Sequence, residues 1–200
     1  MFTGIVEEMG WVEACSRQGD VLRVRIGADA TVAGLAVGGS IAVDGCCLTA
    51  VRVDGAGFDC ELTAETLACT AFDQRLRPGV PVNLERPMRA DGRFDGHLVQ
   101  GHVDGIGRVR DLRRLGESAE LVVEPPAALE PYLVVKGSVA VDGVSLTVAG
   151  LEPGLFTVAL IPYTLEHTNL GGARPGDRVN LEADVIAKYV ERLLRARGSG

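Results

Sequence analysis

The sequence repeats itself once at domain length, and that repeat constrains the fold more than any other feature. Ser40-Ile41-Ala42-Val43-Asp44-Gly45-Cys46-Cys47-Leu48-Thr49 returns as Ser138-Val139-Ala140-Val141-Asp142-Gly143-Val144-Ser145-Leu146-Thr147, with seven identities in ten. Arg77-Pro78-Gly79-Val80-Pro81-Val82-Asn83-Leu84-Glu85 returns as Arg174-Pro175-Gly176-Asp177-Arg178-Val179-Asn180-Leu181-Glu182, with seven in nine. Phe58 answers to Phe156, Leu62 to Leu160, and Thr66-Leu67 to Thr164-Leu165. Upstream, Gly4, Val6, Gly10 and Val12 answer to Gly101, Val103, Gly107 and Val109. The offset stays at 97 to 98 residues, which implies one short deletion between the copies. Units this long are a duplicated domain, because solenoid units run to about 20–50 residues. Two alike domains imply two alike ligands, or one ligand held between unlike halves.

The 200 residues therefore divide into two small domains of about 100 residues each. Short apolar runs, separated by many of the 26 glycines, predict β structure. In the first copy the strand candidates are 5–15, 21–26, 40–53, 57–62 and 81–85; in the second they are 102–112, 119–123, 138–151, 155–160 and 178–182. Five to six short antiparallel strands that must bury a core unaided predict an all-β fold, a tandem duplication of a small Greek-key barrel. One or two helical turns are expected over 28–35 and 126–133, and a second equivalent pair over 63–70 and 161–168. The expected domains are 1–89 and 96–184, with a charged linker over 86–95 that contains Pro87 and Gly92. After Asp184, the residues Val185, Ile186, Tyr189, Val190, Leu193 and Leu194 recur at helical spacing. That segment, 185–200, predicts an amphipathic helix of about three turns ending before Gly198. It has no partner in the first copy, so its apolar stripe is expected to pack between subunits.

Charge and cysteine usage exclude several classes. The net charge is −7 and basic residues cluster only at the C-terminus, so no nucleic-acid or anionic-membrane surface is expected. Met1-Phe2-Thr3-Gly4 opens no basic, apolar leader, so neither a signal peptide nor a membrane span is expected. Five cysteines at irregular spacing, with no CxxC or Cys/His cluster, predict the reduced thiols of a cytoplasmic protein and no metal site.

Positions that match between the copies serve the barrel, and positions that differ are candidates for a divided function. Strand alternation puts Cys46, Leu48 and Ala50 on one face and Cys47 and Thr49 on the other. In the second copy Val144, Leu146 and Val148 oppose Ser145 and Thr147. The first face reads as core; the second is either a lined pocket or a solvent face of small residues. All three histidines, His97, His102 and His167, lie at or beyond the boundary, with His102 in place of Ile5 and His167 in place of Cys69. Each is either a proton shuttle or a surface or structurally bonded residue. Asp184 answers to Pro87 and is either a helix N-cap, a pocket acid, or both. Lys136 answers roughly to Gly38.

The lead segment Met1–Glu8, the paired Asp44–Thr49 and Asp142–Thr147 motifs, Gly96-His97-Leu98-Val99-Gln100-Gly101-His102-Val103-Asp104, and Leu160-Ile161-Pro162-Tyr163-Thr164-Leu165-Glu166-His167-Thr168 together resemble the riboflavin synthase family of α-chain type. The resemblance spans essentially the whole chain. It implies a six-stranded barrel per copy and a dismutation of two 6,7-dimethyl-8-ribityllumazine molecules by transfer of a four-carbon unit, without metal or redox cofactor. It also implies a homotrimer joined through the C-terminal helix, with facing pockets from neighbouring subunits and lumazine synthase as a candidate associate. By resemblance, the catalytic candidates are Cys47, His102, Ser145, Thr147 and Asp184. His102, relayed by Thr147, is the candidate base, and Cys47 or Ser145 the candidate nucleophile. The implied substrate-binding residues in the first copy are Phe2, Thr3, Gly4, Ile5, Val6, Ser40, Cys47, Leu48, Thr49, Glu61, Leu62, Thr63, Ala64, Glu65 and Thr66. In the second copy they are Gly101, His102, Val103, Lys136, Ser145, Leu146, Thr147, Leu160, Ile161, Pro162, Tyr163, Thr164 and Leu165. Gln100 and Tyr163 depart from the residues common at their places, and Cys46 precedes Cys47 as in only part of the family. The alternative of another class is a non-catalytic lumazine- or flavin-binding antenna protein of the same fold.

Overall fold

The computed structural model describes residues 1–197. In the first copy, strands β1 (Glu8–Gln18), β2 (Val21–Gly27), β3 (Ser40–Val43), β4 (Cys46–Asp54), β5 (Gly57–Leu62) and β6 (Pro81–Glu85) close an antiparallel barrel in the order β1-β2-β5-β4-β3-β6. In the second, β7 (Gly105–Leu115), β8 (Ser118–Glu124), β9 (Ser138–Val141), β10 (Val144–Glu152), β11 (Leu155–Leu160) and β12 (Arg178–Ala183) close a second barrel in the same cyclic order. Even the irregularities repeat. The register shifts at Val12/Ala14 and Ala50/Arg52 return at Val109/Asp111 and Val148/Gly150, at the sites where the barrels bend. The offset is 97 residues at β1 and β2, 98 from β3 to β5, and 97 again at β6. Two single-residue adjustments, not one deletion, therefore separate the copies.

The run expected as one strand over 40–53, and its partner over 138–151, each break into two. Asp44 and Gly45 take φ of 42° and 76°, and Asp142 and Gly143 take 45° and 79°. Positive φ at both central residues is the tight hairpin turn that Asp-Gly favours, and it supplies the sixth strand of each barrel. The period-2 pattern around the turns holds: Cys46, Leu48 and Ala50, like Val144, Leu146 and Val148, face the barrel cores. The first strand of each copy starts later than expected, because residues 1–6 and 98–103 leave their own barrel before β1 and β7 begin.

Helix α1 (Ala64–Cys69) is capped by Thr63, whose hydroxyl accepts the Thr66 N–H at 3.2 Å, and α2 (Phe72–Arg75) follows it. Their equivalents are α3 (Pro162–His167), started by a proline, and a 3-10 turn at Asn169–Gly172. Residues 28–35 form turns only, whereas Glu130–Tyr132 forms a 3-10 turn. Helix α4 (Val185–Arg197) follows Asp184, whose Oδ1 accepts the Ile186 N–H at 2.9 Å, so Asp184 is an N-cap. Lys188 pairs with Asp104 at 2.7 Å and the Tyr132 hydroxyl donates to Glu191 at 2.5 Å, which pins one side of α4 to the second barrel. Ile186, Tyr189, Val190, Leu193 and Leu194 stay at least half exposed. Of the segment expected over 185–200, residues 198–200 lie outside the described residues.

The two barrels meet about a local two-fold axis. The Phe2 N–H donates to Val99 O at 2.7 Å and the Val99 N–H returns to Phe2 O at 3.2 Å, although these residues are counterparts. Phe2, Ala42, Val99 and Ala140 form a small core between the barrels. Among the described residues no helix is long and apolar enough to cross a membrane.

Candidate functional site

Each barrel presents one polar outer face. Antiparallel pairing sets Ser40 opposite Thr49 and Ala42 opposite Cys47 in the first copy, and Ser138 opposite Thr147 and Ala140 opposite Ser145 in the second. Cross-strand partners share a face, so Ser40, Cys47 and Thr49 line one wall and Ser138, Ser145 and Thr147 the other. Cys47 and Ser145 are half-buried, and Thr49 and Thr147 are exposed. Ser138 was absent from the expected set, although its identity with Ser40 marks it in the sequence.

The lead segments are exchanged between the copies. Ser145 donates its N–H to Gly4 O at 2.7 Å, and Cys47 donates its N–H to Gly101 O at 2.8 Å. Val6 packs against the second core and Val103 against the first. The sequence grouped Gly4-Ile5-Val6 with the first copy and Gly101-His102-Val103 with the second; in the structure each segment lies against the other copy's wall. The cause is the Phe2–Val99 crossing, which carries each segment past its own barrel onto its neighbour. Contact is close enough to demand glycine. A Cβ at Gly4 would stand 2.6 Å from the Ser145 Cβ, and one at Gly101 the same distance, 2.6 Å, from the Cys47 Cβ; φ is +76° and +80°.

Two carboxylates hold the crossings in place. Glu85 accepts the N–H groups of Thr3 and Gly4 at 2.6 and 3.0 Å and the Thr3 hydroxyl at 2.8 Å. Glu182 accepts the N–H groups of Gln100, Gly101 and His102 at 2.7, 2.9 and 3.0 Å. Burial pushes both carboxyls above the usual range, against the pull of these donors.

The chemistry of the two walls differs. On the second, His97 Nδ1 lies 2.7 Å from the Ser145 hydroxyl, while its buried Nε2 has no hydrogen-bond partner among the described residues. Burial lowers the His97 pKa and the nearby Asp184 charge raises it, with burial the larger effect, so the ring is neutral near pH 7. The expected catalytic set omitted His97. Its signal in the sequence was faint, since it precedes the aligned part of the repeat and has no counterpart to compare. The first wall carries the Cys47 thiol and, through Gly101, the backbone of His102, whose side chain is exposed. Among the described residues no hydrogen bond links His102 to Thr147, which sits on the other wall. Burial pushes the Cys46 thiol up to about 12, which removes it as a nucleophile. Lys136 stands at φ 68°, where its counterpart Gly38 has 84°. The left-handed backbone at this place is therefore kept in both copies, by a glycine in one and an exposed lysine in the other.

Several expected contact residues face inward. Leu48, Leu62, Leu146 and Leu160 belong to the cores, and Phe2 is wholly buried between the barrels, so their side chains pack inward. Thr3 is buried on Glu85. Glu61 forms an ion pair with Arg23. Thr63, Ala64 and Glu65 on one rim, and Ile161, Pro162 and Tyr163 on the other, are exposed; Thr66, Thr164 and Leu165 are half-buried. Tyr163 stacks on His167 with ring centroids 3.9 Å apart. A cavity of about 810 Å³ runs along the linker beside the first wall and is lined by Thr3, Ile5, Ser40, Glu85, Arg86 and Met88 among others.

The lumazine binding domain family matches the chain twice, over residues 3–87 and 100–184. The riboflavin synthase of Mycobacterium tuberculosis is 49% identical over 204 residues, covering 99% of this chain and 100% of the relative. That of Bacillus subtilis is 39% identical over 194 residues, covering 97% and 90%. In fold, the chain resembles LumP complexed with riboflavin, with a TM-score of 0.85 at 24% identity over 92% of this chain and 99% of the other. The doubled barrel, its paired polar walls and full-length likeness at this identity place the chain in the riboflavin synthase family, whose members are transferases.

Proposed function

We propose that the chain converts two molecules of 6,7-dimethyl-8-ribityllumazine into riboflavin and 5-amino-6-ribitylamino-2,4-pyrimidinedione. The carrying observation is the pair of alike walls with unlike chemistry, a thiol on one and a hydroxyl–imidazole pair near a carboxylate on the other. A reaction between two copies of one substrate needs two alike pockets, and the different parts of donor and acceptor need a few different residues. The four-carbon unit moves whole from one lumazine to the other, so the two products together hold every atom of the two substrates. No oxidant or reductant enters the balance.

Bringing the two rings together removes much of the entropic barrier. A base takes a proton from the acidic 7-methyl group of one lumazine, and a nucleophile or water adds at C7 of the other. His97, neutral and bonded to Ser145, is the base that best fits the second wall. His102 and Cys47 serve the first. Lys136 and Asp184 meet the polar ribityl and ring edges. Residues 1–89 and 96–184 act as the two lumazine-binding domains, and 185–200 as the assembly segment. The exposed stripe of α4 supports a homotrimer in which a first barrel faces a second barrel of the neighbouring chain. Reduced thiols fit a cytoplasmic setting. The test is incubation with the lumazine alone, without added metal or cofactor. Appearance of riboflavin and the pyrimidinedione in equal amounts supports the reading. Tight binding without turnover assigns the chain an antenna role instead.

A further inference from the structure

Where the β3–β4 turn meets the β9–β10 turn, two carboxylates share one cation. Asp44 and Asp142 are each 1% exposed and occupy equivalent places. Asp44 accepts the Asn83 N–H and Asp142 the Asn180 N–H, both at 2.7 Å. The asparagine amides reach across the axis, Asn83 Nδ2 to Asp142 O and Asn180 Nδ2 to Asp44 O, both at 2.9 Å. So far the junction is two-fold symmetric. The cation is not: Arg75, at the end of α2, sends Nη1 to Asp142 Oδ2 at 2.6 Å and Nη2 to Asp44 Oδ2 at 3.3 Å. The equivalent place in the second copy falls at Gly172 or Ala173, so no second guanidinium competes. The guanidinium hydrogen-bonds Asp142 and meets Asp44 as an ion pair without a hydrogen bond. The Asn169 amide, whose counterpart is Ala71, also reaches both carboxylates, at 2.8 Å to Asp44 Oδ1 and 3.4 Å to Asp142 Oδ2.

The two turns also touch through backbone. A Cβ on Gly45 would lie 2.6 Å from Gly143 N, and one on Gly143 would lie 2.7 Å from Gly45 N. A short run of chain leads from Asp44 to Cys47 and from Asp142 to Ser145, whose N–H groups hold the exchanged lead segments. We propose that Arg75 is a positioning residue for both pockets at once: its guanidinium fixes the spacing of the two turns, and so the placement of the Cys47 and Ser145 walls together. A residue in the first copy thereby governs chemistry in the second. The proposal rests on the reading of those walls as substrate pockets.

The test uses the full chain with Cys15 and Cys69 changed to serine, so that Cys47 is the accessible thiol. Two ligand-free signals report the walls: the alkylation rate of Cys47, and the ring nitrogen NMR shifts of His97, which sense its bond to Ser145. Both are measured well below the melting temperature. Arg75→Met is expected to change the alkylation rate at least threefold and to move the His97 shifts in the same protein. At saturating lumazine, kcat is expected to fall tenfold or more, with a smaller change in KM. Arg75→Lys should fall between Arg75→Met and the parent on every readout. If Arg75→Met does not fold, Arg75→Lys carries the test with both signals moving by smaller amounts. A change confined to Cys47, or no change in either signal, overturns the proposal. Failure of the parent chain to bind or convert lumazine would overturn the functional reading instead, and would leave the two ligand-free signals to decide on Arg75.

Discussion

Glu182→Gln tests whether a single buried carboxylate holds the exchanged segment against the first wall. Glu182 accepts three backbone N–H groups, from Gln100, Gly101 and His102. A glutamine keeps one acceptor oxygen. If that oxygen takes the place that serves Gly101 and His102, two bonds survive as neutral ones and the Gln100 bond is lost. The new NH2 group then faces an N–H donor with no acceptor between them. A hydrogen bond to a charged group contributes about 1.5–3 kcal/mol. Relief of the cost of burying the charge, which is what raises the Glu182 pKa, returns part of this. The expected net loss is about 2–3 kcal/mol at pH 7.5, or roughly 4–12 °C in melting temperature for a chain of this size. Urea and thermal unfolding measure it. Local consequences are specific: Glu182→Gln should speed alkylation of Cys47 and leave the His97 shifts alone, whereas Glu85→Gln should do the reverse. A loss below about 1 kcal/mol, or loosening of the wrong wall, would refute the exchange of segments as the device that shapes the pockets.

Four buried carboxyls, Asp44, Asp142, Glu85 and Glu182, have folded pKa values raised chiefly by burial, so their protonated forms favour the folded state. The stability they contribute is full below about pH 4 and is lost as pH rises, for Asp44 through about 7; Asp44→Asn should flatten the fall between about pH 4 and 7 in urea unfolding. His97→Gln should lower kcat about 100-fold or more while binding of the lumazine stays within a few-fold, as for loss of a general base; an equal fall in binding would make His97 a structural residue. Removal of residues from Ala187 onward should weaken assembly, seen by sedimentation, while far-ultraviolet circular dichroism keeps the barrel signal. Cys47→Ser should slow turnover more than it weakens binding, and unchanged kinetics would assign Cys47 to packing.

Much of the fold can be read from two periodicities, the long repeat and the alternation within strands. Both survive because a barrel strand must bury every second residue whatever the ligand does. The hairpins at Asp44-Gly45 and Asp142-Gly143 were hidden inside apolar runs, although Asp-Gly is itself the turn signal; the continuous hydrophobicity around it suggested one strand. Exchange of the lead segments was not legible at all. A repeat says which residues are equivalent but not which copy packs on which, and Gly4 and Gly101 fit either barrel by pattern. The Cys47, Ser145 and Asp184 candidates follow from differences between the copies, and His97, named among the three histidines, stayed out of the catalytic set because it has no counterpart to differ from. Lys136 was visible as a departure from Gly38, but that both positions share a left-handed backbone appears only in three dimensions.

The exchanged segments have one consequence for how such a site can diversify. Neither copy finishes its own pocket: Cys47 takes its backbone partner from Gly101 and Ser145 from Gly4. A lone half would leave those groups to a second identical half, and symmetry would then force the same side chains onto both walls. Joining the halves in one chain lifts that constraint. Each wall can mutate without altering its twin, a thiol here and a hydroxyl with an imidazole there, while the shared junction keeps their geometry matched. Covalent linkage thus lets one scaffold hold two alike molecules and treat them differently.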